Sequence, residues 1–358
     1  MKIKKTVWLV ACIAASAAHA QSSVTLYGSI DVGVAYVNNA GGASKVFMEQ
    51  GESQPDRWGL YGVEHLGGGL STEFRLENGF YTNSGAMASP STLWNRQAWV
   101  GLVSESIGTL RLGRQTPFSF DWLSPFSTAY QSGNWFAFHP GNIDQLADTS
   151  VVPYNNAARY ISPSFHGLTV GAMMGLGNTT NFGYGRNLSA AVKYDLGAFH
   201  ATAVYQDEHN RTPTITTVTA PTFGGLPAAS YTADSTEEEG FGASYDLGAF
   251  KLHAMYTRVK LTTAGISELF QSYDGGVNYR VSPASLIGFG GATTTLAGSR
   301  YTQFSLGYNY SLSKATQVYA DTNFERASGD NARAALYTAG ISSTSNQLSF
   351  KIGMHHSF

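Results

Sequence analysis

The chain has 358 residues, 43% of them hydrophobic, 13% aromatic and 13% charged, with 40 glycines, one cysteine and a formal net charge of −2. Soluble globular domains average about 25% charged residues, so half the usual charge is missing here with no matching rise in hydrophobic content. A polytopic helical membrane protein is excluded, because beyond the N-terminus no run approaches the roughly 20 apolar residues that a helical span needs; the abundance of Tyr, Phe, Gly, Ser, Thr and Asn favours strands and turns.

The first 20 residues read as a cleaved signal peptide. Three lysines precede the apolar stretch Thr6 to Ala18, and Ala18-His19-Ala20 puts small residues where a signal peptidase reads. Leu9-Val10-Ala11-Cys12 is a rival lipoprotein box, but it would leave only the six apolar residues Thr6 to Ala11, against the roughly 7–15 expected of such a segment. Cleavage after Ala20 leaves residues 21–358 as a single domain without cysteine, and the loss of three lysines takes the net charge from −2 to −5. No clustered basic surface of the kind that binds nucleic acid is left.

Along the mature chain one pattern recurs. From Val24 to Tyr36 one parity is Val24, Leu26, Gly28, Ile30, Val32, Val34 and Tyr36, while the other is Thr25, Tyr27, Ser29, Asp31, Gly33 and Ala35. Period two with one apolar face is a strand. Sixteen such segments are expected, near 24–37, 57–66, 70–80, 93–103, 107–114, 156–162, 167–177, 188–196, 198–207, 240–247, 249–260, 269–281, 284–296, 300–312, 315–327 and 347–358. Every second connection is tight, as at His65 to Gly69, Ser104 to Gly108 and Ser311 to Lys314, whereas 81–92, 115–155, 208–239 and 328–346 are long and polar. Short turns at one end and long loops at the other are the pattern of a transmembrane antiparallel β-barrel rather than a sandwich. Tyr194-Asp195-Leu196-Gly197-Ala198-Phe199 recurs 51 residues later as Tyr245 to Phe250, each copy between two alternating runs, as expected of repeated hairpins with glycine in the turn. Phe199, Phe250, Tyr310 and Phe358 fall near strand ends, where an interfacial aromatic girdle would lie.

From end to end the chain resembles the trimeric general diffusion porins of the Gram-negative outer membrane, in particular their betaproteobacterial branch. The resemblance rests on Ser23 to Asp31, Arg57-Trp58-Gly59-Leu60, Glu64 to Leu70 with Leu76-Glu77-Asn78-Gly79-Phe80, Asn95 to Leu102, Gly108 to Gln115, the turn Ser311-Leu312-Ser313-Lys314 and the terminal Phe358. His65 replaces the family's usual Asp. The resemblance implies an all-β barrel of sixteen antiparallel strands, short periplasmic turns, long external loops, a homotrimer, and passive passage of small hydrophilic solutes. It also implies contact with outer-membrane lipid and lipopolysaccharide, and recognition of Phe358 by the barrel-assembly machinery. No cofactor is implied.

A sixteen-strand barrel is too wide for side chains to fill, so something must narrow it. The segment 115–155 contains Pro117, Pro125, Pro140 and Pro153 together with Phe118, Phe120, Trp122, Phe126, Tyr130, Trp135, Phe136 and Phe138. By resemblance it is the third external loop, folded into the lumen as a constriction. Arg57, Arg96, Arg114 and Arg159 sit in motifs where the family carries its wall arginines. Arg96 shares parity with Ala98 and Val100 in a weakly alternating strand, so pattern leaves its facing open, but an arginine facing lipid costs about 2–4 kcal/mol at the midplane and the lumen is expected for all four. Asp121, Asp144 and Asp148 are the loop's candidate counter-charges, with Trp122 and Trp135 as its tryptophans. The acidic stretch of the enteric branch is absent, and Ser127 to Pro140 has no carboxylate, which points to a weak anion preference.

Other chemistry is sparse. Asp234, Glu237, Glu238 and Glu239 are expected in a solvated external loop. His355 and His356 are adjacent in a strand and therefore face opposite ways, so no joint metal site is expected. Neither a nucleophile elbow, a His-Glu-x-x-His motif nor a phosphate loop occurs, and no enzyme activity is expected. Two alternatives to a general porin stay open: a substrate-specific channel using the aromatics of 118–138 as a track for sugars or aromatic acids, and a barrel serving as adhesin or surface hydrolase.

Overall fold

In the computed structural model residues 22–51, 53–147, 152–213, 222–223, 226–227 and 231–358 are described, so the expected signal peptide and its cleavage site lie outside the described residues. The strands are β1 (Ser23–Ala40), β2 (Ala43–Gln50), β3 (Arg57–Gly67), β4 (Leu70–Gly79), β5 (Gln97–Ser104), β6 (Gly108–Gln115), β7 (Tyr154–Ile161), β8 (Leu168–Gly175), β9 (Asn187–Leu196), β10 (Phe199–Arg211), β11 (Thr222–Phe223), β12 (Leu226–Pro227), β13 (Ala233–Leu247), β14 (Phe250–Thr263), β15 (Ile266–Ser282), β16 (Ser285–Leu296), β17 (Ser299–Ser311), β18 (Thr316–Ser328) and β19 (Asn346–Ser357). Sixteen of them, all but β2, β11 and β12, pair antiparallel with their neighbours, and β19 returns to β1 with Ser29 opposite Ser357 and Val37 opposite Ser349. The backbone of Gly28 closes the ring by donating to Phe358 O at 2.9 Å and accepting from Phe358 N at 3.1 Å. β2 extends β3 as the outer partner of β1: it covers Val32 to Ala40, while β3 covers Ser23 to Ser29.

The barrel is inside out relative to a soluble protein. Along β1 the apolar parity faces outward, with Val24 64% and Leu26 59% exposed, and β19 does the same with Leu348, Phe350, Ile352 and Met354. The opposite parity is polar and enclosed, as Asp31, Gln206, Glu238, Thr257, Gln303 and Lys351 show. Leaving a large apolar side chain in water forfeits about 1.5–3 kcal/mol, so this outer surface is stable only against hydrocarbon. A closed barrel also pairs every strand edge, which hydrocarbon requires. The repeated hairpins turn at Gly197 and Gly248, with φ of 58° and 61°. Phe199, Phe250, Tyr310 and Phe358 are exposed on the outer surface at the short-turn end.

β13 starts at Ala233, not near 240, which corrects the expectation of a solvated acidic loop. Glu238 is fully buried on the inward parity and accepts from Gln206 Nε2 at 2.7 Å. Glu237 and Glu239 face the other way, 3.7 Å from Lys260 and 3.5 Å from Arg258. Between β6 and β7 the chain leaves the wall at Thr116 and folds into the lumen as short turns and one helix, α1 (Thr128–Ser132). Phe118, Leu123, Phe126, Phe138 and Leu146 of this loop pack against Met173, Ala191, Val204 and Met255 on the inner wall.

Candidate functional site: a slot between wall and loop

The loop lies against one side of the barrel because that wall is carved to receive it. Gly171, Gly240, Gly242 and Gly290 all sit on inward parity, and a Cβ at these positions would collide with Phe118, Leu123, Phe126 and Thr128 respectively. Polar ties then fix the loop along its length. Phe118 N donates to Ser189 Oγ at 3.2 Å, and Thr128 N donates to both oxygens of Asp274 at 3.1 and 3.0 Å. Asn278 Nδ2 donates to Gln131 O at 2.8 Å, Asn309 Nδ2 to Ser132 O at 2.9 Å, and Asn134 pairs with Asn323 at 3.0 Å. His139, in the loop and fully enclosed, lies 2.6 Å from Asp144 and 3.2 Å from Asp274. Burial disfavours its charge, but the carboxylates of Asp144 and Asp274 outweigh that and hold its pKa up at about 10.

The space left open lies on the other side, against β3 to β5. Arg57, Arg75, Glu77, Arg96 and Gln97 line it from the wall, Phe120, Asp121, Tyr130 and Trp135 from the loop, and Ser53, Gln54 and Pro55 from the connection after β2. That connection turns inward because Ser53 N and Gln54 N donate to Asp31 Oδ2 at 2.9 and 3.1 Å, while Asp56 accepts from Asp31 N at 2.6 Å and Thr82 N at 2.8 Å. The slot continues outward, sharing Pro55, Arg96 and Trp135 with a cavity bounded by Phe80, Tyr81 and Tyr337. It continues towards the short turns, sharing Ser53, Gln54 and Tyr130 with a cavity bounded by Arg280, Ala284 and Ser311. Three connected spaces thus run from the long-loop end to the short-turn end.

Charge in the slot is unequal. Glu77 accepts from Arg96 Nε at 2.7 Å and from Tyr27 OH at 2.7 Å, and lies 3.9 Å from Arg57. Asp121 pairs with Arg159 and accepts from Thr116 Oγ1 at 2.7 Å. Arg75 has no carboxylate partner among the described residues; its guanidinium lies 5.7, 5.3 and 5.9 Å from the rings of Tyr27, Tyr61 and Trp99. Cation–π contacts of this kind hold a charge in place without neutralising it.

The sequence candidates separate accordingly. Arg57, Arg96, Asp121 and Trp135 line the slot. β5 begins only at Gln97, so Arg96 escapes the outward parity of Ala98 and turns in to Glu77. Arg159 is 3% exposed and anchors the loop through Thr116 O at 3.1 Å and Asp121. Arg114 is not brought to the slot: it pairs across from Ala98 on the outward parity, beside the bulge at Gly113, and donates to Asn95 O at 2.9 and 2.7 Å. It stands at the long-loop end of β6, where the cost of an outward arginine falls to about 0–1 kcal/mol. Asp144 is buried behind the loop with His139 and Thr257, so it faces no solute. Trp122 packs on Phe118 at 4.6 Å, away from the slot, and Asp148 lies outside the described residues. Sequence reasoning missed Arg75 and the inward glycines. Arg75 carried a signal, since Glu73, Arg75 and Glu77 share the parity opposite Phe74 and Leu76; so did Gly240 and Gly242, which fall on the polar parity of β13 with Glu238 and Ser244.

A family model described as Gram-negative porin matches residues 7–356. The chain is 28% identical over 403 residues to an outer membrane porin protein of Bordetella pertussis, covering 95% of this chain and 99% of that protein. It is 29% identical over 371 residues to outer membrane porin protein 32 of Delftia acidovorans, covering 99% and 100%. Among solved structures, an anion-selective porin from Comamonas acidovorans superposes with a TM-score of 0.78 at 28% identity, covering 94% of this chain and 100% of that one. The trimer form of OmpT from Vibrio cholerae shares the fold, with a TM-score of 0.68 at 14% identity and 94% and 99% coverage.

Proposed function

The chain belongs to the Gram-negative porin family, and from that premise we propose that its slot, set by the third external loop, gives a general diffusion channel a weak preference for anions. The protein is an outer-membrane barrel through which small hydrophilic solutes pass passively. One observation carries the selectivity: Arg57, Arg75 and Arg96 share the wall with Glu77 and face Asp121 across the slot, and Arg75 has no carboxylate partner among the described residues. In a narrow aqueous passage a net positive lining favours anions. The mature charge of −5 acts at the mouths, but salt screens exposed charges beyond about 8–10 Å, so the slot dominates. The anion-selective porin of Comamonas acidovorans supports the same direction.

Residues 1–20 serve as the signal peptide in this reading and 21–358 as the barrel domain. The working assembly is a homotrimer, its outer surface meeting lipid and its external ends lipopolysaccharide. Phe358 is the signal for the barrel-assembly machinery. Porins are channels rather than enzymes, and no catalytic role is assigned. Planar-bilayer recording of refolded residues 21–358 tests the channel: current should close in steps of three. A heat-modifiable barrel that never conducts would overturn it.

A further inference from the structure

The two sides of the slot differ in chemistry as well as in charge. Arg57, Arg75 and Arg96 stand on the wall, while Phe120, Tyr130 and Trp135 look across from the loop. Tyr130 is 46% exposed, and Trp135 is held by ring contacts with Phe138 at 5.1 Å and Tyr337 at 6.0 Å. Exposed apolar surface in an aqueous passage is unfavourable by roughly 25 cal/mol per Å², so a passage for small polar solutes alone gains nothing from it. Each of the three connected spaces pairs rings with arginine: Trp135 and Tyr81 with Arg96 at the outer cavity, Trp135 and Tyr130 with Arg57 and Arg75 in the slot, and Tyr130 with Arg280 at the inner cavity. Trp135 is common to the first two and Tyr130 to the last two. A flat solute can therefore slide from one ring to the next while its charge passes along the arginines.

We propose that this slot favours anions that carry a flat apolar ring, the aromatic carboxylates, with the carboxylate on the Arg57 and Arg75 side and the ring on Tyr130, Trp135 and Phe120. The inference rests on the anion-selective reading above and adds the solute class. Sugars offer a ring face but no charge for the arginines, and aromatic cations are repelled by them. Ring-on-ring contact favours an aromatic over an aliphatic acid by about two- to tenfold.

The test is block of single-channel KCl current by benzoate, acetate and benzyl alcohol at constant ionic strength. Benzoate should half-block at a concentration about two- to tenfold below that of acetate, and benzyl alcohol should not block. Tyr130→Ser, at an exposed position, should bring the benzoate and acetate curves together. Equal block by benzoate and acetate in a channel that still prefers chloride overturns the ring inference and leaves the anion reading intact. Block by benzyl alcohol as strong as by benzoate also overturns it, because charge then plays no part. A reversal potential of cationic sign overturns both readings.

Discussion

Replacing Arg75 with Gln removes a slot cation that no carboxylate pairs with among the described residues. Among the described residues the lining then changes from three arginines against two carboxylates to two against two. A chloride ion passing about 5 Å from the guanidinium through water gains 332/(80 × 5), or about 0.8 kcal/mol, which is roughly fourfold in occupancy. Potassium is repelled to the same degree, so the chloride-to-potassium permeability ratio should fall by roughly sixteenfold in Arg75→Gln and stay near wild type in Arg75→Lys. The fold should tolerate the change, since contacts with Tyr27, Tyr61 and Trp99 at 5.3 to 5.9 Å are worth only about 0.5–1 kcal/mol at accessible sites. Reversal potentials across a KCl gradient near 0.1 M, where the screening length is about 10 Å, read the ratio; near 1 M, where it is about 3 Å, the difference should shrink. A wild-type reversal potential in Arg75→Gln, or a difference indifferent to salt, refutes the reasoning.

Gly240→Leu places a side chain where Leu123 of the loop lies and should push the loop towards the arginine wall; single-channel conductance falls, and thermal stability drops by about 1–3 kcal/mol from overpacking. His139 has its pKa raised from 6.5 to about 10 by Asp144 and Asp274 against the opposing effect of burial, so its contribution to stability is complete below pH 6.5 and is lost as pH rises through about 10. Thermal melts of wild type and His139→Gln should therefore differ most at and just below pH 6.5 and converge above pH 10, whereas a gap constant to high pH contradicts a charged His139 between Asp144 and Asp274. Phe358→Ala removes the ring that covers Gly28 but keeps its backbone bonds; refolded protein should conduct normally while surface levels in cells drop severalfold by immunoblot of outer-membrane fractions, and equal levels would remove the assembly role.

All sixteen spanning strands were legible because a wall with lipid outside and polar groups inside imposes strict alternation, as in Leu348 to Met354 against Ser349 and Lys351. Alternation fails as a guide where the wall rises out of hydrocarbon. There Glu237 and Glu239 take outward positions beside Lys260 and Arg258, so the outer half of β13 read as loop. β2, which is held by its ladder with β1, was also missed, and so was the inward turn at 53–56, which is held by Asp31 and Asp56, contacts that no local pattern encodes. The slot was half legible. Motif position found Arg57 and Arg96 but also brought in Arg114, which parity sends outward beside a bulge. The fate of Asp144 behind the loop depends on His139 and Asp274 meeting across 135 residues of sequence.

The central claim is that the slot between loop and arginine wall sets the sign of selectivity. The reversal potential of the wild-type channel across a KCl gradient at low ionic strength tests it most directly. The account predicts a potential of anionic sign that weakens as salt rises; a potential of cationic sign, at any salt, would contradict it.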